Sequence, residues 1–131
     1  VGYEGGKKSF IASLIGDNSN KRKSIEEICF NNDFNTPLQP DKSSEYFKPL
    51  DMLRLAPSAL NKQPWRILKK DNNLHFYLAS DNHMNKIDIG IALCHFHLTA
   101  VEDNLNGKFE MIDSMQNLHD KFTYVMSWIS E

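Results

Sequence analysis

Residues Met84 to Leu105 constrain this chain more than any other stretch. Ile87, Ile91, Leu93, Cys94, Leu98 and Val101 recur at helical spacing, and Asn106-Gly107 offers a C-terminal stop. The apolar positions do not keep to one stripe. Such a helix is expected at the centre of a fold, buried on several sides. The rest of the 131 residues must then wrap around it, and that length suits one domain with a core of its own.

The wrapping elements are shorter. Phe10, Ile11, Leu14 and Ile15 predict a helix over Lys7 to Ile15 that Gly16 stops, and Asp17 to Lys23 reads as a loop. Ser24-Ile25-Glu26-Glu27 has the form of a capping box and starts a short helix carrying Ile28. Asn31 to Lys42 is irregular. A second helical stripe runs through Tyr46, Phe47, Leu50, Leu53 and Leu55; Pro49 kinks or restarts it and Pro57 ends it. Trp65 to Lys70 and Leu74 to Ser80 form a hairpin around Asp71-Asn72-Asn73. Strands over Lys108 to Ile112 and Lys121 to Ile129 complete the chain. No internal repeat is found within it. The expected fold is α+β: a single domain over residues 1–131, with a small antiparallel or mixed sheet packed on the long helix.

Charge and composition narrow the function. Fifteen basic residues against seventeen acidic ones give a net charge of −2, so nothing favours a phosphate-backbone binder, and no nucleic-acid partner is expected. No apolar run approaches the ~20 residues of a membrane span, so no membrane partner is expected either. Two cysteines, Cys29 and Cys94, are too few for a disulfide scaffold and point to a reducing, cytoplasmic setting. The opening Val1-Gly2-Tyr3-Glu4-Gly5-Gly6 reads as a loop or linker entered in mid-course, so the chain is expected to be the C-terminal piece of a longer polypeptide.

Chemistry concentrates in Leu55-Ala56-Pro57-Ser58-Ala59-Leu60-Asn61-Lys62-Gln63-Pro64-Trp65. A helix breaks at Pro57, and small and amide side chains follow before a strand. The loop can present backbone N–H groups, a hydroxyl and an amide to one flat polar ligand, and its prolines lower the entropy cost of ordering. A purely structural turn is the alternative reading of the same residues.

The run Ala-Pro-Ser-Ala-x-Asn-x-Gln-Pro-Trp resembles the flavin-contacting signature of the nitroreductase family. Ile87-Asp88-Ile89-Gly90-Ile91-Ala92-Leu93-Cys94-His95-Phe96 is similar to that family's long interface helix, especially in its tandem-repeat, TM-nitroreductase-like branch. Arg22-Lys23-Ser24-Ile25-Glu26-Glu27 is similar to the Arg-Arg-Ser-x-Arg opening that grips the flavin phosphate, and Tyr124-Val125-Met126-Ser127-Trp128 to the branch's final strand. The resemblance implies an FMN-dependent oxidoreductase in which NAD(P)H reduces the flavin and the flavin reduces a nitro, quinone or similar small-molecule acceptor. It also implies a dimer or pseudo-dimer. One protomer or repeat supplies the Arg-Arg-Ser grip, and the other supplies the Pro-Ser loop. This chain resembles the C-terminal repeat, with a second copy or an N-terminal repeat of the same protein as partner. Pro57, Ser58, Ala59, Asn61 and Gln63 are the implied flavin contacts, and Arg22 and Ser24 the implied phosphate contacts. No catalytic side chain is assigned, since the chemistry belongs to the flavin.

One position departs from the family pattern. Glu26 stands where the grip has its second Arg, and a carboxylate there repels a phosphate. Arg22 to Ser24 is therefore either a degenerate grip or a solvated charge cluster beside a helix cap. For the whole chain the alternative is a non-catalytic dimerisation half with no turnover of its own. No metal is expected. His95 and His97 lie two apart on a helix and point to nearly opposite sides, and no third ligand follows Cys94 and His97. His75 and His119 have no nucleophile or orienting carboxylate that spacing identifies, and Trp65 and Trp128 are expected as core or interface anchors.

Overall fold

The computed structural model describes residues 21–131. The expected helix over Lys7 to Ile15 and the glycine-rich opening lie outside the described residues. The first element is α1 (Ile25–Ile28), with Ser24 at its N-cap. The Glu27 carboxylate reaches back to accept from the Ser24 N–H at 2.9 Å and from its hydroxyl at 3.2 Å, so the expected capping box is present.

Strand β1 (Cys29–Asn31) follows at once and pairs in parallel with β2 (Trp65–Lys70). Three residues are too few to show a period, which is why the strand was not legible beforehand. Its outer edge is not left open: Leu38 N–H donates to the Cys29 carbonyl at 2.9 Å, and Pro37 bridges to Phe30.

Helix α2 (Phe47–Arg54) buries Pro49, Leu50 and Leu53. Pro49 neither kinks nor restarts it. It is the third helical residue, where the missing N–H would have no partner within the helix. Leu55 falls beyond the helix end and is exposed, so the stripe stops at Leu53.

The hairpin is β2 with β3 (Asn73–Leu78). Its loop is two residues rather than three, because Asp71 and Asn72 both take left-handed backbone, φ 53° and 65°, the feature that lets a two-residue turn match strand twist. Strands β4 (Gly107–Glu110) and β5 (Thr123–Ser130) complete a mixed five-stranded sheet of order β1-β2-β3-β5-β4, antiparallel throughout except for β1 with β2.

Helix α3 (His83–Glu102) packs on one face of this sheet and against α2. Asn82 caps it by accepting from the Asn85 N–H at 2.8 Å. Phe96 lies in edge contact with Phe76 of β3 and Trp128 of β5, both at 5.4 Å between ring centres. Trp65 and Trp128 are core residues. The helix stops earlier than Asn106-Gly107. Asn104 takes the left-handed conformation, φ 56°, and Leu105 N–H closes onto the Ala100 carbonyl at 2.8 Å. Gly107 has another task. It opens β4 flat against the Trp128 indole, where a Cβ would sit 2.4 Å from Nε1.

The burial of α3 differs more. Among the described residues α3 is buried on one face, through Asn85, Asp88, Ile89, Ala92, Phe96, Thr99 and Ala100. Met84, Ile87, Ile91, Leu98 and Val101 are exposed, Leu98 to 62%. Cys94 is exposed too, as a free thiol. These six outward residues alternate three and four apart along the helix, the spacing of a seam that receives another helix.

Candidate functional site

Between α2 and β2 the chain crosses the top of α3 as a tight loop, with a single 3₁₀ turn at Ala59–Asn61. Leu60, Asn61 and Gln63 take left-handed φ values of 53°, 54° and 49° without being glycines. Three such residues in four positions are a strained arrangement that its surroundings must hold.

Two clamps do so. The buried Asp88 carboxylate on α3 accepts from the Ala59 N–H, with 3.2 and 3.1 Å to its two oxygens. Burial raises the Asp88 pKa above its ordinary value, with the Ala59 N–H opposing that rise. Farther along, the Ser58 hydroxyl oxygen accepts from the Gln63 N–H at 2.9 Å, which closes the loop on itself.

The loop also grips the segment before α1. Gln63 is buried, and its side-chain oxygen accepts from the Lys23 N–H at 2.7 Å. Its amide nitrogen donates to the Asn61 carbonyl and side-chain oxygens at 3.0 and 3.1 Å. Asn61 Nδ2 in turn donates to the Lys21 carbonyl at 2.8 Å. Arg54 Nη1 reaches the Lys23 carbonyl at 3.3 Å, and Arg66 Nη1 donates to the carbonyls of Gln63 and Trp65 at 2.9 and 2.6 Å. The two stretches read separately in the sequence are therefore neighbours in one chain.

Lys21, Arg22, Lys23, Glu27, Asn61 and Gln63 line an open cleft of about 290 Å³. Three cations against one carboxylate suit an anion, and the volume suits part of a ligand rather than a whole cofactor. Ser58 and Ala59 are half-buried beside this cleft's loop, and Pro57 is exposed at its start. Ser24 is engaged locally: its N–H and hydroxyl both serve Glu27, whose pKa these bonds lower, so the carboxylate is charged at neutral pH. Glu26 is exposed.

Among the described residues no three His, Cys, Asp or Glu side chains converge as a metal site. The His97 ring lies 5.7 Å from Phe109. Sequence reasoning gave no role to Asp88, Lys21 or Lys23. The available signal was an Asp in an otherwise apolar helical run, since a buried carboxylate requires an N–H partner.

Among the described residues the sheet order, the long helix and the loop above it make an α+β fold of the nitroreductase kind. The sequence profile of the family described as "Putative TM nitroreductase" matches residues 2–100. Among solved structures, the crystal structure of a putative nitroreductase from Thermotoga maritima MSB8 is 32% identical, with a TM-score of 0.53, over 84% of this chain and 42% of that one. No curated protein matches. The chain belongs to the TM nitroreductase family and spans less than half the length of that solved relative. No helix among the described residues is long and apolar enough to cross a membrane.

Proposed function

We propose that this chain supplies one side of a composite FMN site in an NAD(P)H-dependent oxidoreductase acting on a small-molecule acceptor. The observation that carries the reading is the joining of the strained Pro57–Gln63 loop to the cation-lined cleft at Lys21, Arg22 and Lys23, which brings together in one chain two stretches that the resemblance divides between partners. These residues fit a flavin nucleotide in kind: cations for a phosphate and the Ser58 hydroxyl for a hydrogen-bonding edge, with the Asn61 and Gln63 amides holding the loop to the cations. When bound, FMN would accept hydride from the nicotinamide and pass electrons to the acceptor. The chain's own part is to bind and orient. Lys21, Arg22 and Lys23 set the potential for the anionic end, while Ser58, whose oxygen already accepts from Gln63, keeps its O–H to donate.

The exposed seam on α3 completes the proposal, because a second copy or an N-terminal repeat laid along it would close the site from the other side. The share of the solved relative that this chain covers, 42%, leaves room there for a second such length. Its two free thiols suit a reducing cytoplasm.

One observation favours a second reading, a non-catalytic partner half: Glu27 already occupies the Ser24 donors that a phosphate would use. Titration with FMN and with riboflavin, followed by flavin fluorescence, separates the two. The first reading expects FMN to bind more tightly than riboflavin, and Ser58→Ala with Asn61→Ala to weaken FMN by ~1–3 kcal/mol while the fold survives. Equal, negligible binding of both ligands supports the second.

A further inference from the structure

Of the α3 residues buried in the chain, Asp88 alone is ionisable. It is 4% exposed, and among the described residues its two carboxylate oxygens share a single N–H donor. Removing a carboxylate from water for so little compensation is costly, and an apolar side chain at this place would pack without that cost. The geometry shows what the carboxylate does. Ala59 opens the 3₁₀ turn, and the left-handed residues Leu60, Asn61 and Gln63 follow directly. A charge-assisted bond at Ala59 N–H fixes the start of that turn, as the Ser58–Gln63 bond fixes its end.

We infer that Asp88 is the positioning residue of the ligand-facing loop, holding Ala59 so that Ser58 and Asn61 are presented in one fixed geometry. The inference rests on the flavin reading above for its ligand, though not for its geometry. Asp88 lies next to Ile87 and three residues from Ile91, both on the outward seam. One rigid helix therefore carries both the surface that receives a partner and the group that sets the loop.

The charged groups on the surrounding elements are engaged elsewhere or point to solvent. Lys86 of α3 pairs with Asp81 at 3.4 Å, and Arg54 of α2 with Asp51 at 2.8 Å. Arg66 of β2 donates to backbone carbonyls, and Lys62 of the loop is exposed. Among the described residues none of them forms an ion pair with Asp88.

The test uses the full 131-residue chain, the variants Asp88→Ala and Asp88→Asn, FMN as the probe, and the Ala59 backbone amide followed by ¹⁵N NMR. Asp88→Ala is expected to weaken FMN binding about tenfold or more and to move the Ala59 amide resonance upfield. Asp88→Asn, which keeps a neutral acceptor, falls between it and the wild type. In the wild type the Ala59 resonance and FMN affinity shift together as falling pH protonates Asp88; in Asp88→Asn that common limb is absent. A merely structural role would change stability without this limb. Folded Asp88→Ala that binds FMN like the wild type, or an Ala59 amide indifferent to both substitution and pH, overturns the inference. If Asp88→Ala does not fold, Asp88→Asn and the pH series decide. If the wild type binds no FMN at any pH, the flavin reading fails, and the Ala59 amide still decides the role of Asp88.

Discussion

The two faces of α3 carry similar side chains and have opposite consequences. The inward face, with Ile89, Ala92, Phe96 and Ala100, meets the sheet and accounts for the fold of this chain. The outward face, with Met84, Ile87, Ile91, Leu98 and Val101, is apolar too and stays exposed. Apolar character alone cannot tell them apart, since both faces carry it. The difference lies in what each face meets, and the outward one asks for a partner that the first provides from within.

The largest expected effect is on the inward side. Phe96 is fully buried and packs against Phe76, Phe109 and Trp128. Phe96→Ala removes those contacts and leaves a cavity, so it should cost ~3–5 kcal/mol. Urea unfolding of the purified chain measures this directly. A loss below about 1 kcal/mol would mean that the two faces are equivalent, and the comparison would break.

A smaller effect is expected on the sheet face away from α3. His75 is buried there, with Nδ1 2.6 Å from the Ser127 hydroxyl, which in turn lies 2.5 Å from the Tyr124 hydroxyl. Burial, and next the charge of Lys70, lower the His75 pKa below its ordinary 6.5. The unfolded chain therefore binds this proton first. Stability should be unaffected by His75 above about pH 6.5, decline as pH falls below that value, and level off once the folded form is also protonated. Urea midpoints between about pH 7.5 and pH 5 test this, with His75→Gln expected to flatten the decline relative to the wild type. An identical slope in both proteins would place the titration elsewhere.

These contrasts mark what the sequence could and could not convey. The short helix at Ser24, the hairpin and the long helix rest on local signals, and they stand within a few residues of where spacing put them. Strand β1 was hidden because its pairing is with β2, far along the chain, rather than with its own neighbours. The helix stop moved to Asn104 because Gly107 is reserved by the Trp128 ring, a contact that no local pattern reveals. At the site, the loop from Pro57 to Trp65 was legible as a unit. Its fixation by Asp88, and its grip on Lys21 and Lys23 through Asn61 and Gln63, were not, because each depends on atoms brought together by the fold.

The smallest expected effect on the chain's own stability sharpens the comparison most. Leu98, at 62%, is the most exposed of the aliphatic residues on the α3 seam and stands outside the core cluster. Leu98→Glu should change the stability of a single, unpaired chain by no more than about 0.5 kcal/mol. On a helix-to-helix contact the same charge would be desolvated against apolar side chains, so it should abolish pairing. Sedimentation of wild type and variant across a range of concentrations reads the second effect, and urea unfolding at low concentration reads the first. If the wild type pairs through this face, its unfolding midpoint rises with concentration and that of Leu98→Glu does not. A variant that unfolds readily at every concentration would place Leu98 inside the chain's own core. A variant that still pairs would move the partner's surface away from α3, and with it the far wall proposed for the flavin site.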